Sequence, residues 1–191
     1  MPRRPHRTNR LVDPTRLSPA GSEPGTVRVI IETPKGSRNK YAFNRKLGAF
    51  ELTRVLPAGM AFPYDFGFVP STIAGDGDPA DVLVLMDQPA FPGCLMTCRL
   101  IGVIRGEQRE GKRREENNRL VGIDLSAHDM AAVTRLDDLG RRFLKELEEF
   151  FVNYHALDDQ KYEVVGTGGP AAARKCVKQA VRAARNGRSR S

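Results

Sequence analysis

The chain has 191 residues, a formal net charge of +8, no tryptophan and three cysteines, a length that suits one domain with a single core. No apolar run approaches the ~20 residues that cross a bilayer, and Met1 to Arg10 lacks the apolar segment of an export signal, so neither a membrane partner nor secretion is expected. The positive charge sits at the ends, with five arginines against one aspartate in residues 1–20 and seven Lys or Arg against no acid in residues 174–191, so the body is slightly acidic and specific nucleic-acid binding is not expected.

Met1 to Gly25 is rich in Pro, Arg, Ser and Gly, has no hydrophobic period and reads as a flexible basic arm. From Thr26 the residues Val27, Val29 and Ile31 recur at every second position, predicting a strand, with a turn at Lys35-Gly36-Ser37 into a second strand at Lys40 to Phe43. A third strand spans Glu51 to Leu56. Pro57 to Asp81 is a long loop whose Phe62, Tyr64, Phe66 and Phe68 argue for an ordered, functional segment. Strands are predicted at Val82 to Met86, Leu95 to Arg105 and Arg119 to Leu125, the last two joined by a charged hairpin over Gly106 to Asn118. Arg141 to His155 then places Phe143, Leu144, Leu147, Phe150, Phe151 and Tyr154 on one face of an amphipathic helix. A second helix follows Gly168-Gly169-Pro170 as far as about Ala184, and residues 185–191 form a basic tail. If Cys94 and Cys98 share one strand they lie about 13 Å apart at ~3.3 Å per residue, too far for a disulfide, which suits a reducing compartment.

The richest chemistry lies in Gly75-Asp76-Gly77-Asp78-Pro79-Ala80-Asp81. Three carboxylates this close repel one another and need compensating positive charge. Hard oxygen donors with no neighbouring His or Cys favour Mg²⁺, or Mn²⁺, and the glycines let the backbone turn so that the carboxylates converge. A calcium-binding EF-hand is excluded, since Asp81 and Asp87 stand where that loop requires Gly and Glu.

Two aspartates flanking one residue, then Pro, a small apolar residue and a third aspartate, resemble the acidic signature of the family I soluble inorganic pyrophosphatases. Further matches occur in the same order: Ile31-Glu32-Thr33-Pro34, Asn39-Lys40-Tyr41, Arg54, Pro63, Gly67, Gly102-Val103, and Phe150-Phe151 before Tyr154. The resemblance covers roughly Thr26 to Ala184, read as one domain over residues 26–184. It implies an α+β, mainly β fold, a five-stranded OB-like barrel with two C-terminal helices at its side. It also implies a cytoplasmic location, a homo-oligomer (a hexamer in many bacterial members), and hydrolysis of pyrophosphate with Mg²⁺.

By the same resemblance Asp76 and Asp81 are metal ligands, Asp78 is the general base and a further ligand, and Glu32 orders the metal's waters. Lys40, Arg54, Arg119, Tyr154 and His155 fall at phosphate-binding positions. The chain departs from the family pattern at Ala42, where an acid is expected, at Phe66 in place of a tyrosine, and at His155 in place of a lysine. Two metal-binding aspartates of the hairpin align with Gln108 and Asn117, and the lysine after them with Arg119. The neighbouring Glu107 and Glu116 would compensate only through a bulge, because adjacent strand residues face opposite sides.

Overall fold

The computed structural model describes residues 13–111 and 113–188. The chain forms β1 (Thr26–Thr33), β2 (Asn39–Asn44), β3 (Ala49–Val55), β4 (Asp65–Phe68), β5 (Asp81–Leu85), β6 (Leu95–Glu110), β7 (Arg113–Glu116), β8 (Arg119–Asp124), α1 (Gly140–Ala156), β9 (Lys161–Gly168) and α2 (Pro170–Arg188). Strands β1, β4, β5, β8 and β6 pair in that order and β6 returns to β1, so five strands close into a ring. The expected barrel with two helices at its side is present. All these pairings are antiparallel except β5 with β8.

The two-residue period of the strands sorts side chains into two cores. In β5, Val82 and Val84 join a cluster with Val29, Ile31, Leu100 and Val103 that α2 seals with Ala173, Val177 and Ala180. The alternate residues Leu83 and Leu85 join Ile101, Val121 and Ile123 in a second cluster, sealed by Leu147, Phe151 and Tyr154 of α1. Phe151 is 1% exposed, and full burial of such a side chain contributes about 1.5–3 kcal/mol. The apolar stripe expected on α1 is therefore the face that docks. Cys94, Cys98 and Cys176 are free thiols, and burial pushes the Cys98 thiol well above its ordinary value.

Several elements differ from the sequence expectation. Strand β4 lies inside the segment expected as a loop, and β9 was not expected at all. Strand β6 continues to Glu110, so the expected hairpin is mostly strand, with β7 pairing Glu107 to Glu116 and Gln108 to Glu115. Helix α2 extends through residues 185–188, which were assigned to a tail; residues 189–191 lie outside the described residues.

The expected arm also divides. Residues 1–12 lie outside the described residues, whereas residues 13–25 run along the barrel instead of leaving it. Asp13 caps a short 3-10 turn at Pro14–Arg16, Thr15 is buried, Ser71 N donates to Thr15 O at 2.9 Å, and Arg28 N donates to Pro19 O at 3.0 Å. Backbone groups left unpaired would be costly there, and these bonds tie the segment to the wall.

Candidate active site

The acidic loop is a folded turn. Asp76 Oδ1 accepts from Asp78 N at 3.1 Å, Gly77 N donates to Ala74 O at 3.1 Å, and Ala74 N donates to Asp78 O at 2.6 Å. Gly77 stands at φ 90°, a conformation that side chains disfavour, which is why glycine separates the two aspartates. Beyond the turn, Ala80 N donates to the buried Thr72 Oγ1 at 2.9 Å, and Asp81 opens β5. Asp78 is left exposed at the mouth of a cleft of about 330 Å³ lined by Thr15, Glu32, Lys40, Arg45, Asp81 and Arg119 among others.

Glu32 reaches this cleft from β1 and accepts from Phe43 N at 2.8 Å. Burial raises its carboxyl to about 7, against the lowering pull of that bond, and Asp81 and Asp78 push it further. Burial likewise raises Asp81 to about 6; Arg119 and Lys40 oppose the shift, and Asp76 and Asp78 add to it. Asp76 is raised by burial too. Glu32, Asp76 and Asp81 are thus each raised by burial and, in part, by acidic neighbours, the situation a hard divalent cation relieves. As they stand, no three acidic, imidazole or thiol groups among the described residues are gathered closely enough to hold an ion. Asp81 is instead engaged by Arg119 Nη1 at 2.6 Å.

The cations face these acids. Lys40 and Arg54 are cross-strand partners in the β2–β3 ribbon, and both lean over the Tyr154 ring of α1, with Lys40 Nζ 5.2 Å and Arg54 Cζ 5.7 Å from its centroid. Arg54 is also ion-paired with Asp158, just past the end of α1. Arg119 is 5% exposed, its guanidinium 5.7 Å from the Phe66 ring and 5.5 Å from Phe151. Phe66, where a tyrosine was expected, therefore supplies a face against which Arg119 packs. His155 is held at about 4, chiefly by burial and then by Arg119, so it is neutral near pH 7.

Arg54 Nη1, Arg119 Nε, Tyr154 Oη and His155 Nε2 are each buried without a hydrogen-bond partner. An unmade buried bond costs about 1–3 kcal/mol. Four of the five residues expected to bind phosphate carry such an atom, and a polar ligand would satisfy them.

The hairpin substitutions have their own structure. Asn117 Nδ2 donates to Gln108 Oε1 at 2.5 Å, Gln108 Nε2 donates to Gln160 Oε1 at 2.7 Å, and Arg119 donates to Asn117 Oδ1. Amides thus bond to each other where the family pattern would place carboxylates. Glu107 and Glu116 do not compensate. A register shift does occur at Arg105/Gly106, yet Glu107 pairs with Arg114, and both glutamates line a separate hollow with Arg105, Glu115 and Asn118. Thr15, Arg45, Asp158 and Gln160 were not anticipated. A short polar segment before the barrel gave no periodic signal for Thr15, and Gln160 became visible as a neighbour only once β9 folded back along β6.

The barrel rim sets four acids opposite Lys40, Arg54 and Arg119, with buried unpartnered polar atoms beside them, an arrangement suited to an anionic ligand. Residues 29–185 match the family model of inorganic pyrophosphatase. The Synechocystis inorganic pyrophosphatase is 38% identical over 164 residues, 86% of this chain and 95% of that protein, and the Geobacillus stearothermophilus enzyme is 36% identical over 155 residues, 81% and 92% of the two chains. The crystal structure of the inorganic pyrophosphatase from Thermus thermophilus superposes with a TM-score of 0.83 at 31% identity, covering 91% of this chain and 99% of that one. The chain belongs to the family I soluble inorganic pyrophosphatases.

Proposed function

We propose that the chain hydrolyses inorganic pyrophosphate to two phosphates in a metal-dependent reaction with Asp78 as general base. The observation that carries this reading is the cleft itself, in which the exposed Asp78 lies beside Glu32, Asp81, Lys40 and Arg119. Asp76, Asp78 and Asp81 would hold the divalent cation, Mg²⁺ or Mn²⁺, with Glu32 ordering its waters. Such a cation supplies charge neutralisation of the anionic substrate and lowers the pKa of water.

The side chains do the rest. Lys40 and Arg54 hold one phosphoryl end through charge-assisted bonds, with Tyr154 Oη and the free Nη1 of Arg54 as donors. Arg119 gives the deeper end a cation that the two aromatic rings hold in place. Asp78, open to solvent on its turn, accepts the proton of the attacking water at a carboxylate oxygen. Family membership supports pyrophosphate as the substrate, and the same resemblance supports a cytoplasmic homo-oligomer. No helix among the described residues is long and apolar enough to cross a membrane.

Phosphate release from magnesium pyrophosphate and from a nucleoside triphosphate, measured side by side, tests the reading. Release from pyrophosphate in large excess supports it. The second reading is a catalytically weak relative that binds metal and phosphate; Gln108 and Asn117 favour it, since each lacks a charge that would hold metal. Phosphate and metal binding without turnover would select that reading.

A further inference from the structure

The amides of Gln108, Asn117 and Gln160 form a chain whose direction is fixed from one end. A guanidinium donates and never accepts, so Arg119 requires the oxygen of Asn117 to face it. The Asn117 amide nitrogen must then point to Gln108, meeting its oxygen. The Gln108 nitrogen in turn meets the oxygen of Gln160. That same Gln160 oxygen lies 3.3 Å from His155 Nδ1. Two acceptors cannot bond, so His155 must carry its proton on Nδ1, and Nε2 is left with a lone pair. Turning over the Asn117 amide would break the bond to Arg119, and turning over Gln108 or Gln160 alone would set like groups against each other and break a neighbouring bond.

The surroundings hold both ends. Asn117 N donates to Gly106 O at 2.8 Å, and Asn117 O accepts from Tyr162 Oη at 3.1 Å. The Tyr162 ring stacks on His155 with centroids 4.7 Å apart and an interplanar angle of 7°. A Cβ at Gly106 would come within 2.0 Å of the Tyr162 hydroxyl, so glycine there makes room for the clamp. His155 is 5% exposed, and its Nε2 is buried without a partner.

We propose that Gln160, with Gln108 and Asn117, positions His155 as a hydrogen-bond acceptor, and that its Nε2 takes the hydroxyl of a protonated phosphate, such as the hydrogen phosphate product. A cation at this position would attract every phosphate oxygen alike. A neutral acceptor instead discriminates for the P–OH group. The ligand half of the proposal rests on the phosphate-binding reading of Lys40, Arg54, Arg119 and Tyr154, whereas the tautomer half stands on the bond directions.

Nitrogen NMR of the His155 ring tests each half in the full-length protein. In the wild type at pH 7 the ring should be neutral with the proton on Nδ1; a proton on Nε2 overturns the proposal. Gln160→Leu, which removes the acceptor, should move the proton to Nε2, while Gln160→Glu, which keeps one, should leave it on Nδ1. An unchanged tautomer in a folded Gln160→Leu protein also overturns it. Inorganic phosphate should shift the Nε2 resonance and sulfate, which carries no proton at this pH, should not. Equal shifts with both anions would refute the acceptor role, and no shift with either would refute the phosphate site as well. As an inhibitor of hydrolysis, phosphate should lose roughly fivefold relative to sulfate in His155→Leu, the worth of one hydrogen bond.

Discussion

Asp78 and its neighbours illustrate how environment divides labour among identical side chains. Asp78 is exposed on its turn, whereas burial raises Glu32 to about 7 and Asp81 to about 6. Asp78→Asn should leave the melting temperature nearly unchanged and lower turnover at least about a hundredfold, because a carboxamide accepts no proton; wild-type turnover in the variant would remove Asp78 from the base role. Raised carboxyl values also have a sign for stability. The folded metal-free protein binds protons that the unfolded chain releases, so this stabilisation is complete below the ordinary carboxyl range. It fades as pH rises through about 6 for Asp81 and about 7 for Glu32. The metal-free protein should therefore melt at lower temperature as pH climbs from about 5 to 8, while added Mg²⁺ should restore more stability at pH 8 than at pH 5. A thermal-melt series with and without Mg²⁺ checks this, and a Mg²⁺ effect that shrinks with pH would contradict it.

At the scale of the element, the hairpin of β6 and β7 decides how much negative charge the site carries. Glu107 and Glu116 belong to a separate hollow, so neither of these glutamates replaces the carboxylates absent at Gln108 and Asn117. Gln108→Asp together with Asn117→Asp should lower the Mg²⁺ concentration needed for half-maximal rate by several fold, since each adds a hard anionic donor. A Mg²⁺ titration of the double variant giving an unchanged or raised requirement would refute a metal-deficient hairpin. This is also the scale at which the sequence was least transparent. The strand from Thr26, with Val27, Val29 and Ile31 at every second position, and the helix with the Phe143 to Tyr154 stripe were legible because their period states which face is buried, and Val82 to Leu85 because a short run of apolar residues is buried on both faces. Strand β4 was not, because Asp65-Phe66-Gly67-Phe68 is four residues long and sits among Gly and Pro. The acidic triad, Lys40 and Arg54 were legible through residue type and order. The Gln108–Gln160 contact was not, because it joins residues 52 positions apart through a pairing of β6 with β9 that neither strand declares by itself.

For the whole molecule, the segment before the barrel sets the remaining question of what the minimal enzyme is. Composition alone makes Met1 to Gly25 dispensable, for it cannot build a core. Its second half nonetheless lies on the barrel, and Thr15 both lines the cleft at the proposed site and holds Ser71, which precedes the acidic turn. Removing residues 1–12 should leave the melting temperature and pyrophosphate turnover within a fewfold of the full chain. Removing residues 1–25 should do more, because the bonds from Ser71 to Thr15, from Arg28 to Pro19 and from Gly21 to Thr26 all vanish. Each net hydrogen bond contributes about 0.5–1.5 kcal/mol, so a drop of several degrees in melting temperature is expected. KM should rise alongside it as the cleft loses one wall. Matched truncations, measured by thermal melt and by steady-state phosphate release, separate the two halves of the segment. Equal behaviour of both truncations would show that residues 13–25 merely lie on the surface, whereas a raised KM in the longer truncation makes them part of the site.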